Sequence, residues 1–276
     1  MVQGLSLTVE PGQCYGFFGR NGSGKTTTIK CLLNLLRPHS GQVRVFGLNP
    51  ARQEVDVKSR LAYVPDSIAF YPWMDVRAAL DYQASFREGW NRGTEAELLG
   101  RFRLDPAAPT SGLSKGQRTQ LALIAAICAE PELLVLDEPT SGLDPRVRRE
   151  FIQTIIGEYQ DAAPGRRTVF ISTHLIGEFE GLIDRFTVLD QGRALLTADA
   201  DEARGRYRRL PAEFFGEPPA EAEFPTVKSW RREGRSLELI VNGDGDAVLA
   251  QLRARNPARL DSEALTLEEI FLTAIR

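Results

Sequence analysis

This 276-residue chain has no excess of positive charge, no long apolar run and only three cysteines, and each shortage removes a class of function. With 34 Lys and Arg against 37 Asp and Glu, its formal charge is −3, so no overall basic field draws it to nucleic acid or to an anionic membrane. The longest apolar run, LALIAAICA, is about half of what a bilayer span requires, and the sequence opens without a secretory signal pattern. The expectation is a cytoplasmic chain that does not cross a membrane alone. Its three cysteines, Cys14, Cys31 and Cys128, sit in apolar surroundings without metal or disulfide spacing, as buried thiols of a reducing compartment do. No repeat at a solenoid period and no low-complexity tract interrupts the sequence.

What is present is a globular composition, 42% apolar and 26% charged, with a definite rhythm. The runs CYGFF, LAYVP, LLVLD and TVFIS end in polar or glycine-rich clusters and alternate with helical patterns, which predicts an α/β fold with a mostly parallel core sheet. Between LAYVP and LLVLD the pattern turns helical, in MDVRAALDYQASFRE, TEAELLGRFRL and a helix from Lys115 to Ala129. That stretch reads as an inserted α-helical subdomain over about residues 67–130. After RALLT the composition shifts, so the main domain is expected over 1–197 and a small α+β extension over 198–276. In the extension FFGEPPAEAEFP reads as a linker or irregular edge, TVKSWRR and SLELIVN as strands, 246–255 as a helix, and the final helix as capped by Thr266 with Glu269.

GRNGSGKT, Gly19 to Thr26, fits GxxxxGK[ST] between a strand and a helical run, the context a phosphate-binding loop requires. The backbone of Gly19, Arg20, Asn21, Gly22, Ser23 and Gly24 would wrap a phosphate chain, with Lys25 reaching the outer phosphates and the Thr26 hydroxyl, followed by Thr27, facing Mg²⁺. LLVLDEP delivers Asp137 and Glu138 at a strand's carboxyl end, where ligands sit in open α/β sheets. Asp137 is expected to hold Mg²⁺ and Glu138 to orient or deprotonate the attacking water. His174 follows TVFIS at the same rim, whereas His39 in RPHSG reads as a turn residue. Asp66, after LAYVP, shares the rim as well, either as a turn residue after Pro65 or as a group facing the metal's water shell.

TSGLSKGQRTQLAL raises a separate question, since Ser114, Lys115 and Gly116 open a helix whose first N–H groups favour an anion. The plain alternative is a capping box between Ser114 and Gln117. Taken in order, GRNGSGKTT, LSKGQ, LLVLDEP, SGLD (141–144) and STH (172–174) resemble the nucleotide-binding subunit of an ATP-binding cassette (ABC) transporter. The resemblance covers about residues 4–197 and implies a Mg-ATPase with a P-loop NTPase fold. It implies a homodimer, or a pair with a related cassette subunit, formed head to tail around two ATP molecules. Ser114, Gly116 and Gln117 would close over the partner's nucleotide, and Asp144 would couple the two sites.

The single cassette and the TLEEIFL ending are most similar to exporter ATPases whose integral membrane permease is a separate polypeptide, which would place the chain on the inner face of the cell membrane. Rival readings are a non-transport cassette ATPase of repair, translation or cofactor assembly, and a nucleotide sensor without turnover. The segment AYVPDSIAFYPWM matches the region that in the family carries a glutamine near Mg²⁺, here Asp66, and then meets the membrane partner. Phe70, Tyr71 and Trp73 would dock that partner or pack the helical subdomain. No aromatic residue precedes Tyr15, so the family's adenine-stacking residue has no counterpart in MVQGLSLTVE.

Overall fold

The structure is a computed structural model that describes residues 2–157, 167–224 and 226–275. These residues form two compact units, Met1–Ala194 and Leu195–Arg276; the sequence reading puts the boundary after residue 197. One sheet orders six strands β2-β3-β4-β1-β5-β6, comprising β1 (Cys14–Gly19), β2 (Leu61–Val64), β3 (Leu133–Asp137), β4 (Thr168–Thr173) and β5 (Arg185–Asp190) of the first unit and β6 (Arg193–Asp199), which begins in that unit and runs past its end at Ala194. The pairings of β1 with β4 and β5, and of β3 with β2 and β4, are parallel. The near-continuous apolar strands follow from this, because a parallel sheet is covered on both faces. Tyr15, Phe17, Val135 and Phe170 are buried together with Ile29 of helix α1 (Lys25–Leu32), and Tyr15 stacks on Phe170 at 5.9 Å between ring centres.

Around the sheet run α2 (Glu54–Ser59), α6 (Pro145–Ile156) and the short α7 (Ile176–Phe179). Helices α3 (Val76–Ala84), α4 (Arg92–Phe102) and α5 (Lys115–Cys128) all fall between β2 and β3, with α5 packed on α3, α4 and β2. Glu95 of α4 is 1% exposed, and its carboxylate gathers the Arg77 and Arg92 guanidinium groups and the Trp90 indole N–H, the last at 2.6 Å. A buried carboxylate is tolerated only with such partners.

The second unit contains α8 (Ala200–Arg206), β7 (Tyr207–Glu213), β8 (Ser229–Glu233), β9 (Ser236–Asn242), α9 (Gly245–Ala254), β10 (Arg259–Leu260), β11 (Glu263–Ala264) and α10 (Leu267–Ala274). Its antiparallel sheet is ordered β10-β7-β9-β8, with β11 also on β7. The sequence pattern assigns no strand to Tyr207–Glu213, because Pro211 cannot donate to a ladder. The structure pairs that strand on both sides. Ala212 and Glu213 face β10, Arg208 and Arg209 face β11, and Pro211, between the two short partners, joins the ladder as an acceptor only, its carbonyl taking the Asp261 N–H at 3.0 Å. Of FFGEPPAEAEFP, residues 214–224 are described; apart from a 3₁₀ turn at Glu221–Glu223 they are irregular, yet they are not a tether, since Phe214 and Phe224 are buried with Leu210, Leu239 and Leu252. Thr266 and Glu269 form the expected capping box.

Replacing Glu95 by Ala removes the acceptor of the Trp90 indole N–H and of Arg77, while Arg92 keeps Asp81 at 2.7 Å, so Glu95→Ala should lower stability by about 1–3 kcal/mol, read as a shifted denaturant midpoint.

Candidate functional site

The site is assembled by register. Asp137 at the end of β3 lies opposite Ser172 of β4, and Phe18 of β1 lies opposite Thr173, so the loops leaving β1, β3 and β4 emerge side by side. Between them opens a cleft of about 360 Å³, lined by Asn21, Gly22, Gly24, Lys25, Thr26 and Thr27 on one side and by Asp66, Glu138, Ser141 and His174 on the other.

The loop from β1 depends on two glycines. A Cβ on Gly19 would fall 2.4 Å from the Ser23 hydroxyl and 2.5 Å from the Leu189 carbonyl, and Gly24 has φ +111°, in the region that L side chains rarely adopt. Helix α1 follows Gly24 with no side-chain cap, which leaves its first N–H groups without a side-chain partner beside the cleft, as an anion site requires. Lys25 is 5% exposed, and its ammonium group donates to the Gly19 carbonyl at 2.7 Å and the Arg20 carbonyl at 3.3 Å while pairing with Glu138 Oε1 at 2.9 Å.

Glu138 is therefore engaged on both oxygens. Its Oε2 lies 2.8 Å from His174 Nδ1 and accepts from the His174 N–H and the Thr173 hydroxyl, each at 3.3 Å. Its backbone is left-handed, φ +48°, and is held there by its N–H donating to the Ser172 carbonyl at 2.8 Å. Asp137 is 1% exposed; its Oδ1 accepts from the Ser172 hydroxyl at 2.8 Å, whereas Oδ2 is buried without a hydrogen-bond partner. Burial pushes the Asp137 carboxyl above the usual carboxylate range, against the lowering effect of the Ser172 hydrogen bond and of the nearby Thr26 hydroxyl.

This pair fits a hard cation. A buried, unpaired carboxylate oxygen beside a threonine hydroxyl is the donor set that an Mg²⁺ ion completes with phosphate and water oxygens. Among the described residues no cluster of three or more His, Cys, Asp or Glu forms a metal cage of its own.

Ser114, Gly116, Gln117 and Asp144 do not line this cleft. Ser114 Oγ accepts from the Gln117 N–H at 3.2 Å and Gln117 Oε1 accepts from the Ser114 N–H at 2.9 Å, so the capping box is formed. Asp144 caps α6 by accepting from the N–H groups of Arg146 and Val147, both at 3.1 Å. These two helix starts adjoin within the chain, where a Cβ on Gly116 would lie 3.3 Å from Val147 and one on Gly142 would lie 3.1 Å from the Lys115 ammonium.

Beyond Asp66 the chain enters an aromatic row. Tyr71 stacks on Trp73 at 4.7 Å and meets Tyr82 at 5.7 Å, and Tyr82 meets Phe86 at 5.0 Å. Trp73 is 74% exposed, and Phe70, Tyr71, Met74 and Tyr82 line a groove of about 380 Å³. Trp73 faces solvent, whereas the half-exposed Tyr71 also packs edge-on against Tyr82 of α3 in the helical subdomain, so both readings of this segment, docking surface and subdomain packing, stay open. Tyr15 offers no surface to adenine, being fully buried with its hydroxyl 2.6 Å from Thr187. Of the three cysteines only Cys128 is fully buried, while Cys14 and Cys31 are half-buried. Burial and the nearby Asp184 push the Cys14 thiol up, which keeps it protonated. Ser141 is a cleft residue that motif reading passed over, although it opens the quoted SGLD stretch.

The fold and the cleft together define a P-loop ATPase. The sequence profile of the family described as ABC transporter matches residues 2–141. The daunorubicin resistance ATP-binding protein of Streptomyces coeruleorubidus is 36% identical over 98% of this chain and 90% of its own length. The Nod factor export ATP-binding protein I of Rhizobium etli is 31% identical over 99% and 87%. A solved dimeric ATP-binding cassette in a post-hydrolysis state bound to ADP and Pi shares the fold, with a TM-score of 0.63 over 72% of this chain and 90% of that one, at 20% identity. The chain belongs to the ABC transporter family, as an ATP-binding and ATP-hydrolysing subunit. No helix among the described residues is long and apolar enough to cross a membrane.

Because the folded-state pKa of Asp137 is raised, its charge opposes folding: the favourable contribution is present below the unfolded pKa and is lost as pH rises through the folded one. At neutral pH Asp137→Asn should leave the nucleotide-free unfolding temperature unchanged or raised, and should abolish the further rise that Mg²⁺ adds in the presence of ATP, as read by thermal melts.

Proposed function

We propose that the chain hydrolyses ATP in this cleft as one of two cassettes that drive a separate membrane permease in export. The observation that carries the reading is the contact set Lys25, Glu138 and His174 on one cleft, beside a buried Asp137 oxygen without a partner. The loop amides and the start of α1 bind the phosphate chain. Thr26 and Asp137 would hold Mg²⁺, which would supply charge neutralisation on the phosphate oxygens. Asp66 lines the cleft wall, where it would act through the metal's water shell. Lys25 exchanges Glu138 for the terminal phosphate, because a phosphate bears more charge than a carboxylate and offers more acceptor oxygens. Glu138, relieved of Lys25, accepts a hydrogen bond from the attacking water, and His174 moves from the carboxylate toward the terminal phosphate.

Two observations support a second copy. Ser114, Gly116, Gln117 and Asp144 stand outside the cleft of their own chain, and Ser114 Oγ, which accepts from Gln117, keeps its own O–H to donate outward. A solved neighbour of the same fold is described as a dimer bound to ADP and Pi. Head-to-tail pairing therefore brings Ser114 and Gly116 over the partner's nucleotide. Export is supported by relatives that serve Nod factor export and daunorubicin resistance. The exposed row from Tyr71 to Phe86 is the surface on which an apolar permease segment docks, which would hold the chain at the cytoplasmic face of the membrane.

In Glu138→Gln the charge that competes for Lys25 is gone, so ATP should bind at least as tightly while turnover falls by about 10²- to 10⁴-fold. ATP-bound dimers should then accumulate on size-exclusion chromatography; a variant that binds ATP yet stays monomeric would count against the pairing.

A mixed dimer of one Lys25→Ala chain and one Ser114→Arg chain carries both lesions in one site and leaves the other intact. It should turn over ATP faster than either mutant homodimer; equal or lower turnover would refute the assignment of Ser114 to the partner's nucleotide.

A further inference from the structure

The loop that follows Glu138 is closed by a ring of hydrogen bonds that the chemistry above does not use. Thr140 is fully buried, and its hydroxyl donates to Glu178 Oε2 at 2.5 Å. The other Glu178 oxygen pairs with the Arg148 guanidinium. Arg148 also donates to the Leu143 carbonyl at 3.1 Å, and the Leu143 N–H returns to the Thr140 carbonyl at 3.2 Å. Four residues from three segments are thus tied in one circuit: the loop 138–144, the first turns of α6, and α7.

Glu178 stands four residues after His174, on a helix whose Ile176 and Phe179 are both fully buried. It is therefore presented from a fixed seat. The loop it grips begins with Glu138, whose carbonyl accepts from the Ser141 N–H at 3.1 Å. It continues through Ser141 on the cleft wall and ends at Asp144, the cap of α6. Glu178 thereby sets the position of Glu138 and Ser141 against the segment that carries His174.

We propose that Glu178 is a positioning residue for ATP hydrolysis, acting through the Thr140 and Arg148 contacts to hold the Glu138–Asp144 loop in register with His174. It is not among the residues that line the cleft. Its side chain is 15% exposed and those of Lys25 and Glu138 are 5% and 11% exposed, so all of these charges lie where solvent screens them weakly. Losing the Glu178 carboxylate leaves a buried hydroxyl and a guanidinium without their acceptor, and both then seek backbone carbonyls of the same loop. The P-loop amides and Lys25 are not members of the ring, so nucleotide affinity should be spared.

This inference rests on the reading of the cleft as the hydrolytic centre, and Glu138→Gln tests that reading separately. In the full-length chain, ATP turnover and the affinity for a non-hydrolysable ATP analogue are measured for Glu178→Ala, Thr140→Val and the double variant. Displacing the loop by a fraction of an ångström should lower kcat by about 10- to 100-fold in Glu178→Ala, with affinity within about twofold of the parent. The double variant should be no slower than Glu178→Ala alone, because both changes open the same ring. Unchanged kcat, a loss of affinity that matches the loss of kcat, or losses that multiply in the double variant would each overturn the proposal. If Glu178→Ala does not fold, Glu178→Gln preserves the side-chain volume, removes the charge facing Arg148 and carries the same test. Full activity of Glu178→Gln beside an inactive Glu138→Gln would refute the positioning role while leaving the hydrolytic site intact.

Discussion

The contact on which the rest of the site depends is the pairing of Glu138 with Lys25 at one carboxylate oxygen and with His174 at the other. Both charges of the ion pair are almost out of water, and such a pair survives only when geometry and additional hydrogen bonds are good. Lys25 has three donors and three acceptors within reach, two of them backbone carbonyls of the loop that would hold phosphate. The resting cleft is therefore neutralised internally. On the proposed mechanism an incoming phosphate does not enter an empty cationic site but displaces a carboxylate, and that carboxylate is the group proposed to orient the attacking water.

That contact exists because of strand order. In β2-β3-β4-β1-β5-β6, strand β4 lies between β3, which carries Asp137 and Glu138, and β1, which carries the phosphate loop. His174 emerges from β4 and so falls between the other two groups. Parallel pairing sends all three loops to one end of the sheet, the end where ligands collect in open α/β folds. The left-handed backbone of Glu138 follows from the same arrangement, since turning its side chain back over the sheet requires a conformation that costs about 1–2 kcal/mol in a non-glycine residue. Its N–H bond to Ser172 and its carbonyl bond from Ser141 hold it there.

Legibility from sequence followed how local each signal is. CYGFF, LAYVP, LLVLD and TVFIS could be read because a strand buried on both faces leaves an uninterrupted apolar run, and the P-loop could be read because backbone wrapping demands glycine at set intervals. Strand β7 was hidden by Pro211, whose tolerance depends on two short partners that meet beside it, a tertiary fact with no local mark. Leu5, Leu7 and Val9 show the converse: they alternate with exposed neighbours as a strand does, yet are assigned none, because periodicity reports burial and not pairing. The Glu178 ring was invisible for a related reason. Thr140, Leu143, Arg148 and Glu178 belong to three segments, and an exposed-looking Glu or Arg in a helix carries no sign of what it reaches.

Ser114 shows how a structural role and a functional one can share a residue. The capping box uses the hydroxyl only as an acceptor, from the Gln117 N–H, and satisfies the Ser114 N–H with the Gln117 side chain. A hydroxyl has one donor and two acceptor lone pairs, so the cap leaves its donor available. The box also fixes the direction of that donor, since Ser114 can no longer rotate freely. A residue that stabilises its own helix in this way is preorganised to meet an anion from outside, and the entropy of orienting it has been lost already on folding. The cap therefore does not preclude the anion contact proposed for Ser114; Asp144 likewise caps α6 through Oδ1, which leaves Oδ2 able to accept a donor from the proposed partner.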